Sequence, residues 1–216
     1  MEDAKETAGL RAESAPEPPV RRWVPIAIAF YTALLVVAIG WRWLADAELP
    51  WRAPGDLGWS AGAPEAWPIW ARIGSGLGLG FALIAASRVW TERSEAGRAL
   101  ADQLASLVHG LSTERVLLLA AVSGLAEEAF FRGALQPRVG WLAASLLFGL
   151  AHFHPRRALR VWSASAAFAG LAFGALFEAS GDLVAPALAH AVVNAVNLRW
   201  LARAESRQGR SPRNGL

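Results

Sequence analysis

The sequence predicts an all-α, polytopic membrane protein with about six transmembrane helices. Hydrophobic residues make up 54% of the 216-residue chain, and its mean hydropathy is +0.30. These apolar residues are bunched into long runs with little charge, a pattern typical of helices that cross a bilayer and unusual for a water-soluble domain. The chain contains no cysteine, which excludes disulfides, thiolate metal sites and a cysteine nucleophile.

The N-terminal part predicts a polar tail followed by a first transmembrane helix. Residues 1–22 are rich in acidic residues and proline, so we expect a disordered cytoplasmic tail. The apolar run 23–43 is long enough to cross a bilayer. A signal peptide is the competing interpretation, because a pair of arginines precedes the run and residues 45–47 resemble a cleavage site. The length of the run and the acidic tail favour the membrane helix.

An accessory region, residues 23–113, continues with a loop, a second span and an amphipathic segment. Residues 45–66 are rich in glycine and proline and predict a loop, and residues 67–90 predict the second span. Alternate glycines in this span predict close packing against another helix: Gly74, Gly76, Gly78 and Gly80. Residues 91–115 predict either an amphipathic helix at the membrane interface or a continuation of the second span.

Residues 114–201 predict a core of four helices. Its first span, 116–135, starts after Ser112-Thr113-Glu114, and we expect Pro137 to end it. The remaining spans are 139–153, 161–179 and 183–201, and the turn Ser180-Gly181-Asp182 separates the last two. Residues 202–216 form a basic tail. Glu178 and His154 lie near span ends, where we expect interfacial positions, and His109 receives no role.

The distribution of arginine predicts the topology. The sequence pI is about 10.4, and Lys and Arg alternate between many and few in successive connections, as six spans with both termini in the cytoplasm require. The positive charge therefore indicates contact with anionic lipid, and no nucleic-acid partner is needed to explain it. Tryptophans near span ends are typical of interfacial belts: Trp23, Trp41, Trp67, Trp90, Trp162 and Trp200.

Glu127, Glu128 and Arg132 interrupt the apolar run of the third span. Even on lenient insertion scales, each ionised group near the bilayer centre costs roughly 2.5–3.5 kcal/mol, so such groups usually serve a function. Glu128 and Arg132 have i,i+4 spacing and can pair on one helix face. Glu127 is rotated by about 100° from Glu128 and can point elsewhere.

The last three spans supply polar partners for this acidic pair. His152 follows Phe148 by four residues near the end of the fourth span, and His190 and Asn194 share one face of the sixth. A carboxylate base, an imidazole that holds water and two donors for an oxyanion suffice for hydrolysis by water. No serine lies in a recognisable nucleophile motif. Considered one at a time, these groups have a structural interpretation: the Glu–Arg pair could stabilise the helix, and the other groups could form interhelical hydrogen bonds.

Three motifs occur in order: Glu127-Glu128-x-x-x-Arg132, Phe148-x-x-x-His152 and His190-x-x-x-Asn194. As an ordered set they resemble the CPBP family of intramembrane proteases, also called the ABI family, which includes the type II CAAX prenyl endopeptidases. Gly170, Gly174 and the turn at 180–182 fit the same pattern. The resemblance covers roughly residues 114–200, which makes residues 114–201 the expected catalytic core.

The resemblance implies a role for each motif residue. Glu127 would activate water and His152 would help to bind it, while His190 and Asn194 would stabilise the oxyanion. Glu128, Arg132 and Phe148 would support the site. A zinc-dependent mechanism is the alternative, with Glu127, Glu128, His152 and His190 as ligands. We prefer the glutamate-type mechanism without a cofactor, because three ligands and a separate base would use nearly every polar group available.

The expected function is therefore an intramembrane endopeptidase that matures a membrane-associated protein or peptide. We expect it in a bacterial inner (plasma) membrane with both termini in the cytoplasm. A non-catalytic membrane protein of the same fold, which binds a peptide or partner helix in immunity, is the alternative from another class. A proton-coupled transporter is a third, although the chain has no internal repeat and no paired broken helices.

Overall fold

The computed structural model describes residues 20–54 and 67–203, and within these residues the protein is all-α. The elements are α1 (Val20–Asp46), α2 (Ile69–Arg93), α3 (Glu95–Val108), α4 (Thr113–Glu128), a π-helix (Ala129–Leu135), α5 (Gln136–Val139), α6 (Trp141–Ala151), α7 (Arg157–Ser180) and α8 (Val184–Ala202). The predicted fold class is confirmed. Most of the predicted N-terminal tail, the centre of the 45–66 loop and the C-terminal tail beyond residue 203 lie outside the described residues.

Among the described helices, three are long and apolar enough to cross a membrane: Trp23–Asp46, Ile69–Arg93 and Leu159–Ser180. By contrast, α6 has only 11 residues. At 1.5 Å per residue it rises by about 16 Å, roughly half the thickness of a bilayer core. The helix in the fourth predicted span is therefore too short to cross a bilayer by itself.

The segment after α2 folds as a separate helix, so its interpretation as a continuation of α2 is wrong. Ser94 has an extended backbone that ends α2, and its hydroxyl accepts a hydrogen bond from the backbone N–H of Gly97 at 2.9 Å. This N-cap starts α3 in a new direction. The buried residues of α3 share one face, at whose edge Leu107 is 47% exposed; they are Gly97, Leu100, Ala105 and Val108. The helix is amphipathic, and its position at a membrane interface stays a prediction.

The first core helix begins where the sequence predicts and ends later. Ser112 caps α4 through a 3.4 Å bond from the backbone N–H of Arg115 to its hydroxyl. The predicted stop at Pro137 is wrong, because the chain continues helically through the π-helix and α5 to Val139. In the wider π-helix the N–H of Gln136 bonds the carbonyl of Phe131, five residues back. Pro137 then occupies the first turn of α5, where a missing N–H is tolerated.

The last helix, α8, packs between α2 and α4. A Cβ added at Gly76 would lie 2.6 Å from the carbonyl oxygen of Ala185, and one at Gly80 would lie 3.2 Å from that of Ala189. The predicted close packing therefore holds for these two glycines. The other two, Gly74 and Gly78, would meet nothing within 4 Å.

The turn between α7 and α8 binds the loop after α1. As predicted, α7 ends at Ser180, and Gly181 follows in the left-handed conformation with φ of 80°. The N–H of Ala53 donates to the carbonyl of Gly181 at 3.0 Å. The turn residue Asp182 forms an ion pair with Arg72 of α2. These bonds join the accessory helices to the core at this end of the bundle.

Candidate active site

The two motif residues Glu128 and Arg132 form a buried ion pair. Arg132 Nε lies 3.2 Å from Glu128 Oε2, and both side chains are 0% exposed. Arg132 Nη2 also donates to the carbonyl oxygen of Gly170 at 3.1 Å. A Cβ at Gly170 would lie 3.3 Å from Nη2 and 3.2 Å from Phe148. Glycine at position 170 therefore lets α7 approach the arginine closely.

The imidazole of His190 lies between the two glutamates. Its Nδ1 is 2.8 Å from Glu128 Oε1, and its Nε2 is 3.8 Å from Glu127 Oε2. Because the carboxylate of Glu128 pairs with Arg132, it acts as the acceptor and His190 Nδ1 as the donor. Phe173 stacks on the imidazole with a centroid distance of 5.0 Å and an interplanar angle of 16°. These contacts fix the direction in which Nε2 points.

The end of the short helix α6 positions His152. Its Nδ1 lies 2.8 Å from the carbonyl oxygen of Phe148. A carbonyl oxygen only accepts hydrogen bonds, so Nδ1 carries the proton and Nε2 of the neutral ring is an acceptor. That Nε2 lies 3.8 Å from Glu127 Oε2. The distance is too long for a direct hydrogen bond and is one at which a bridging water should be considered.

Phe148 contacts three of the polar side chains at once. Its ring centroid lies 4.7 Å from that of His152 and 5.8 Å from that of His190. The guanidinium carbon of Arg132 lies 4.6 Å from the same ring centroid, within the range of a cation–π contact. Phe148 thus serves as a shared packing surface that fixes the positions of these three side chains relative to one another.

Glu127 is the site carboxylate that lines a cavity. It is 7% exposed, and its Oε2 has no hydrogen-bond partner among the described residues. The cavity has a volume of about 440 Å³ and is also lined by His152. Oε2 of Glu128 also lacks a hydrogen bond but lies 3.2 Å from Arg132 Nε, so Glu127 is the motif carboxylate that keeps an oxygen available without a guanidinium beside it.

Asn194 lies one turn beyond His190 on α8. Its Nδ2 donates to the hydroxyl of Ser123 at 2.9 Å. Ser123 is four residues before Glu127 on α4, so the amide lies on the same face as the acid. An amide nitrogen carries two N–H groups, and this bond uses one of them.

Sequence reasoning did not assign Tyr31, Trp162 or His154 to the site. Tyr31 of α1 interacts with Glu127 and lines the cavity with Trp162 and His154. Trp162, assigned above to an interfacial belt, has its ring centroid 5.1 Å from that of His152. Tyr31 is the only tyrosine of the chain, and its position within an apolar span was the one available signal.

Glu178 does not occupy the interfacial position expected for it. Its side chain is buried, and its Oε1 accepts a hydrogen bond from Gln136 Nε2 at 2.9 Å. Gln136 Nε2 also donates to the carbonyl of Gly174 at 3.1 Å. Gln136 follows Arg132 by four residues, so the two polar side chains anchor this segment to successive turns of α7.

The four alternative zinc ligands do not all face one point, because Glu128 is directed away from the other three. Zinc ligands surround the ion at about 2.0–2.3 Å. The carboxylate of Glu128 instead contacts Arg132 and the Nδ1 side of His190, away from Glu127. Within the described ranges, no three His, Asp or Glu side chains are grouped to hold a metal ion. The residues as placed do not fit a four-ligand zinc site.

Comparisons with known proteins agree with the motif pattern. Residues 109–196 match the family model described as type II CAAX prenyl endopeptidase Rce1-like. The uncharacterized protein YpbD of Bacillus subtilis (strain 168) is 34% identical over 87 residues, which cover 39% of this chain and 44% of YpbD. No solved structure matches the chain significantly. The match confirms the resemblance drawn from the three motifs: residues 109–196 are similar to the Rce1-like family of type II CAAX prenyl endopeptidases.

Proposed function

We propose that this chain is an intramembrane endopeptidase that hydrolyses a peptide bond of a membrane-associated protein or peptide, with Glu127 as the base. The observation that supports this proposal is the environment of Glu127 Oε2. The atom is buried, lacks a hydrogen-bond partner in the described part of the chain, and lies 3.8 Å from Nε2 of both His152 and His190. The adjoining cavity would admit the substrate.

In the proposed reaction, a water molecule between Glu127 and His152 donates one hydrogen bond to each. Glu127 removes a proton from the water while the water oxygen bonds to the carbonyl carbon of the peptide. An electron pair of the C=O bond moves onto the carbonyl oxygen. The tetrahedral intermediate then collapses, the C–N bond breaks, and Glu127 returns the proton to the leaving nitrogen. A carboxylic acid and an amine result, and the base is regenerated.

His190 and Asn194 would stabilise the oxyanion of this intermediate. The bond from His190 Nδ1 to Glu128 directs Nε2 toward Glu127, and a protonated ring donates from Nε2. Asn194 would contribute the N–H that its bond to Ser123 leaves unused. Preorganised donors of this kind typically contribute a factor of about 10²–10³ each to the rate.

The first helix would contribute to substrate selection. Three of its residues, Phe30, Tyr31 and Leu34, line the cavity beside Glu127. The accessory region therefore supplies one wall of a site whose motif residues all come from the core. An apolar or aromatic side chain next to the scissile bond would suit this wall.

We place the protein in a bacterial inner membrane with both termini in the cytoplasm. The alternation of Lys and Arg in the connections supports this orientation. The substrate would then be a protein or peptide held at the cytoplasmic side of the bilayer, and its processing would serve maturation.

A comparison of peptide termini in membrane proteins would test the proposal. Cells that express the wild-type chain, Glu127→Gln or the exposed control Glu95→Gln are compared with cells that lack it. We expect new peptide termini in cells that express wild type or Glu95→Gln and none in cells that express Glu127→Gln. The same termini from the Glu127→Gln cells would contradict the proposal. An intact cellular phenotype without any cleavage would instead support the non-catalytic binding protein.

A further inference from the structure

A second cavity, of about 840 Å³, lies where the C-terminal ends of α2 and α8 meet α3 and the start of α4. None of its lining residues belongs to the candidate active site. The Lys and Arg count predicts that this end of the bundle faces the cytoplasm. The cavity therefore opens at the level where lipid headgroups and cytoplasmic solutes meet the protein.

The cavity concentrates positive charge. Four arginines line it, Arg88, Arg98, Arg199 and Arg203, against two acidic residues, Glu92 and Asp102. Glu114 at the start of α4 also interacts with Arg199, so the arginines outnumber the neighbouring acidic side chains by one. A guanidinium group presents a planar fork of donors that matches phosphate oxygens, and it is weakly hydrated for a cation. The charge and the donors together favour a phosphate-bearing anion.

Two of these arginines are held in place by neighbouring groups. The guanidinium carbon of Arg88 lies 3.8 Å from the ring centroid of Trp200. Arg98 Nη1 donates to the carbonyl oxygen of Glu92 at 2.9 Å. Because each contact limits the motion of the side chain, less entropy is lost when a ligand binds.

Part of the remaining wall is apolar. Val116 and Leu117 of α4 and Val196 of α8 line the same cavity, and Leu117 is 55% exposed. An apolar surface beside arginines suits a ligand with a charged head and a hydrocarbon tail better than a free inorganic ion. Basic recesses between membrane helices on the cytoplasmic side are known to take such headgroups.

We propose that this cavity binds the phosphate of an anionic phospholipid headgroup. The proposal is independent of the proposed endopeptidase function. Phosphatidylglycerol is a suitable probe, with phosphatidylcholine as the zwitterionic comparison, since both carry a phosphate and only the first has a net negative charge. Inorganic phosphate tests whether a free ion occupies the site instead.

Native mass spectrometry of the purified full-length protein measures how much of each lipid is retained. We expect the wild-type chain to retain phosphatidylglycerol in preference to phosphatidylcholine. Arg98→Gln with Arg199→Gln should weaken phosphatidylglycerol binding about 30-fold, from about 1 kcal/mol per arginine. The matched control, Arg93→Gln with Arg115→Gln, removes the same charge from the same end without touching the cavity and should change binding less than twofold.

The outcomes distinguish a lipid headgroup from free phosphate and a specific effect of the cavity from a general effect of net charge. Arg98→Lys with Arg199→Lys keeps the charge but loses the guanidinium fork, so we expect its binding to lie between that of wild type and that of the glutamine variant. An unfolding midpoint of the glutamine variant equal to that of wild type would show that its loss of binding does not come from misfolding. Competition by inorganic phosphate at equal strength would support a phosphate site filled from solution. Equal losses in the cavity variant and its matched control, or no preference between the lipids, would overturn the proposal.

Discussion

Glu128 of α4 and His190 of α8 share a buried hydrogen bond of 2.8 Å between Oε1 and Nδ1. The same carboxylate lies 3.2 Å from Arg132 through its other oxygen. One side chain thus compensates a buried guanidinium and orients the imidazole that faces Glu127. The support of the site and the stability of the bundle depend on the same group.

Replacement of this carboxylate should therefore be strongly destabilising. Glu128→Gln leaves the charge of Arg132 buried without a counter-ion, which typically costs about 3–5 kcal/mol. Thermal unfolding of the purified protein in detergent would show a lowered midpoint, whereas the exposed control Glu95→Gln should unfold like wild type. Glu128→Gln with Arg132→Met removes both charges and should recover part of the loss. An unfolding midpoint unchanged by Glu128→Gln would show that the ion pair does not stabilise the bundle.

A pair of glycine substitutions tests the close approach of α7 to the site. Gly170→Ala places a Cβ 3.2 Å from Phe148 and 3.3 Å from Arg132, so we expect overpacking that destabilises by about 1–3 kcal/mol. Gly78→Ala meets nothing within 4 Å and should stabilise its helix by about 0.5–1 kcal/mol. Unfolding midpoints that shift in opposite directions are the expected result. If both variants behave alike, the contact around residue 170 is looser than described.

Tyr31 should influence the reaction through Glu127. It interacts with that carboxylate from the accessory helix α1, so Tyr31→Phe should lower kcat with little change in the unfolding midpoint. The control Thr32→Val removes a neighbouring hydroxyl whose 2.8 Å bond goes to the carbonyl of Ile28 on the same helix. A kcat that is equal in wild type and Tyr31→Phe would restrict Tyr31 to packing. A raised KM with unchanged kcat would assign it to substrate binding.

Activity should survive metal removal. Glu128 contacts Arg132 and His190 rather than a point shared with Glu127, so we expect the base to be a free carboxylate. Dialysis of the active, purified protein against a chelator should leave cleavage unchanged. Elemental analysis measures the metal content before and after dialysis. A stoichiometric zinc that is lost together with activity, and restored with it, would replace the glutamate-type mechanism by the zinc-dependent one.

Much of the fold was predictable because the membrane imposes simple constraints on sequence. Long apolar runs located the helices, and Ser112 and Gly181 marked a start and an end through their capping chemistry. The stop predicted at Pro137 was wrong because the π-helix changes the hydrogen-bond register before that proline. Such a register change leaves no periodic signature in a single sequence.

The sequence alone determined which side chains were too polar for their surroundings: Glu127, Glu128, Arg132, His152, His190 and Asn194. The tertiary structure decided which of them meet. It joined Glu128 to His190 as well as to Arg132, and it added Tyr31 from a helix about ninety residues earlier. The physical reason is that the free-energy cost of burying a polar group can be recognised from the apolar residues around it in sequence. Its partners, by contrast, depend on how separate helices pack and rotate.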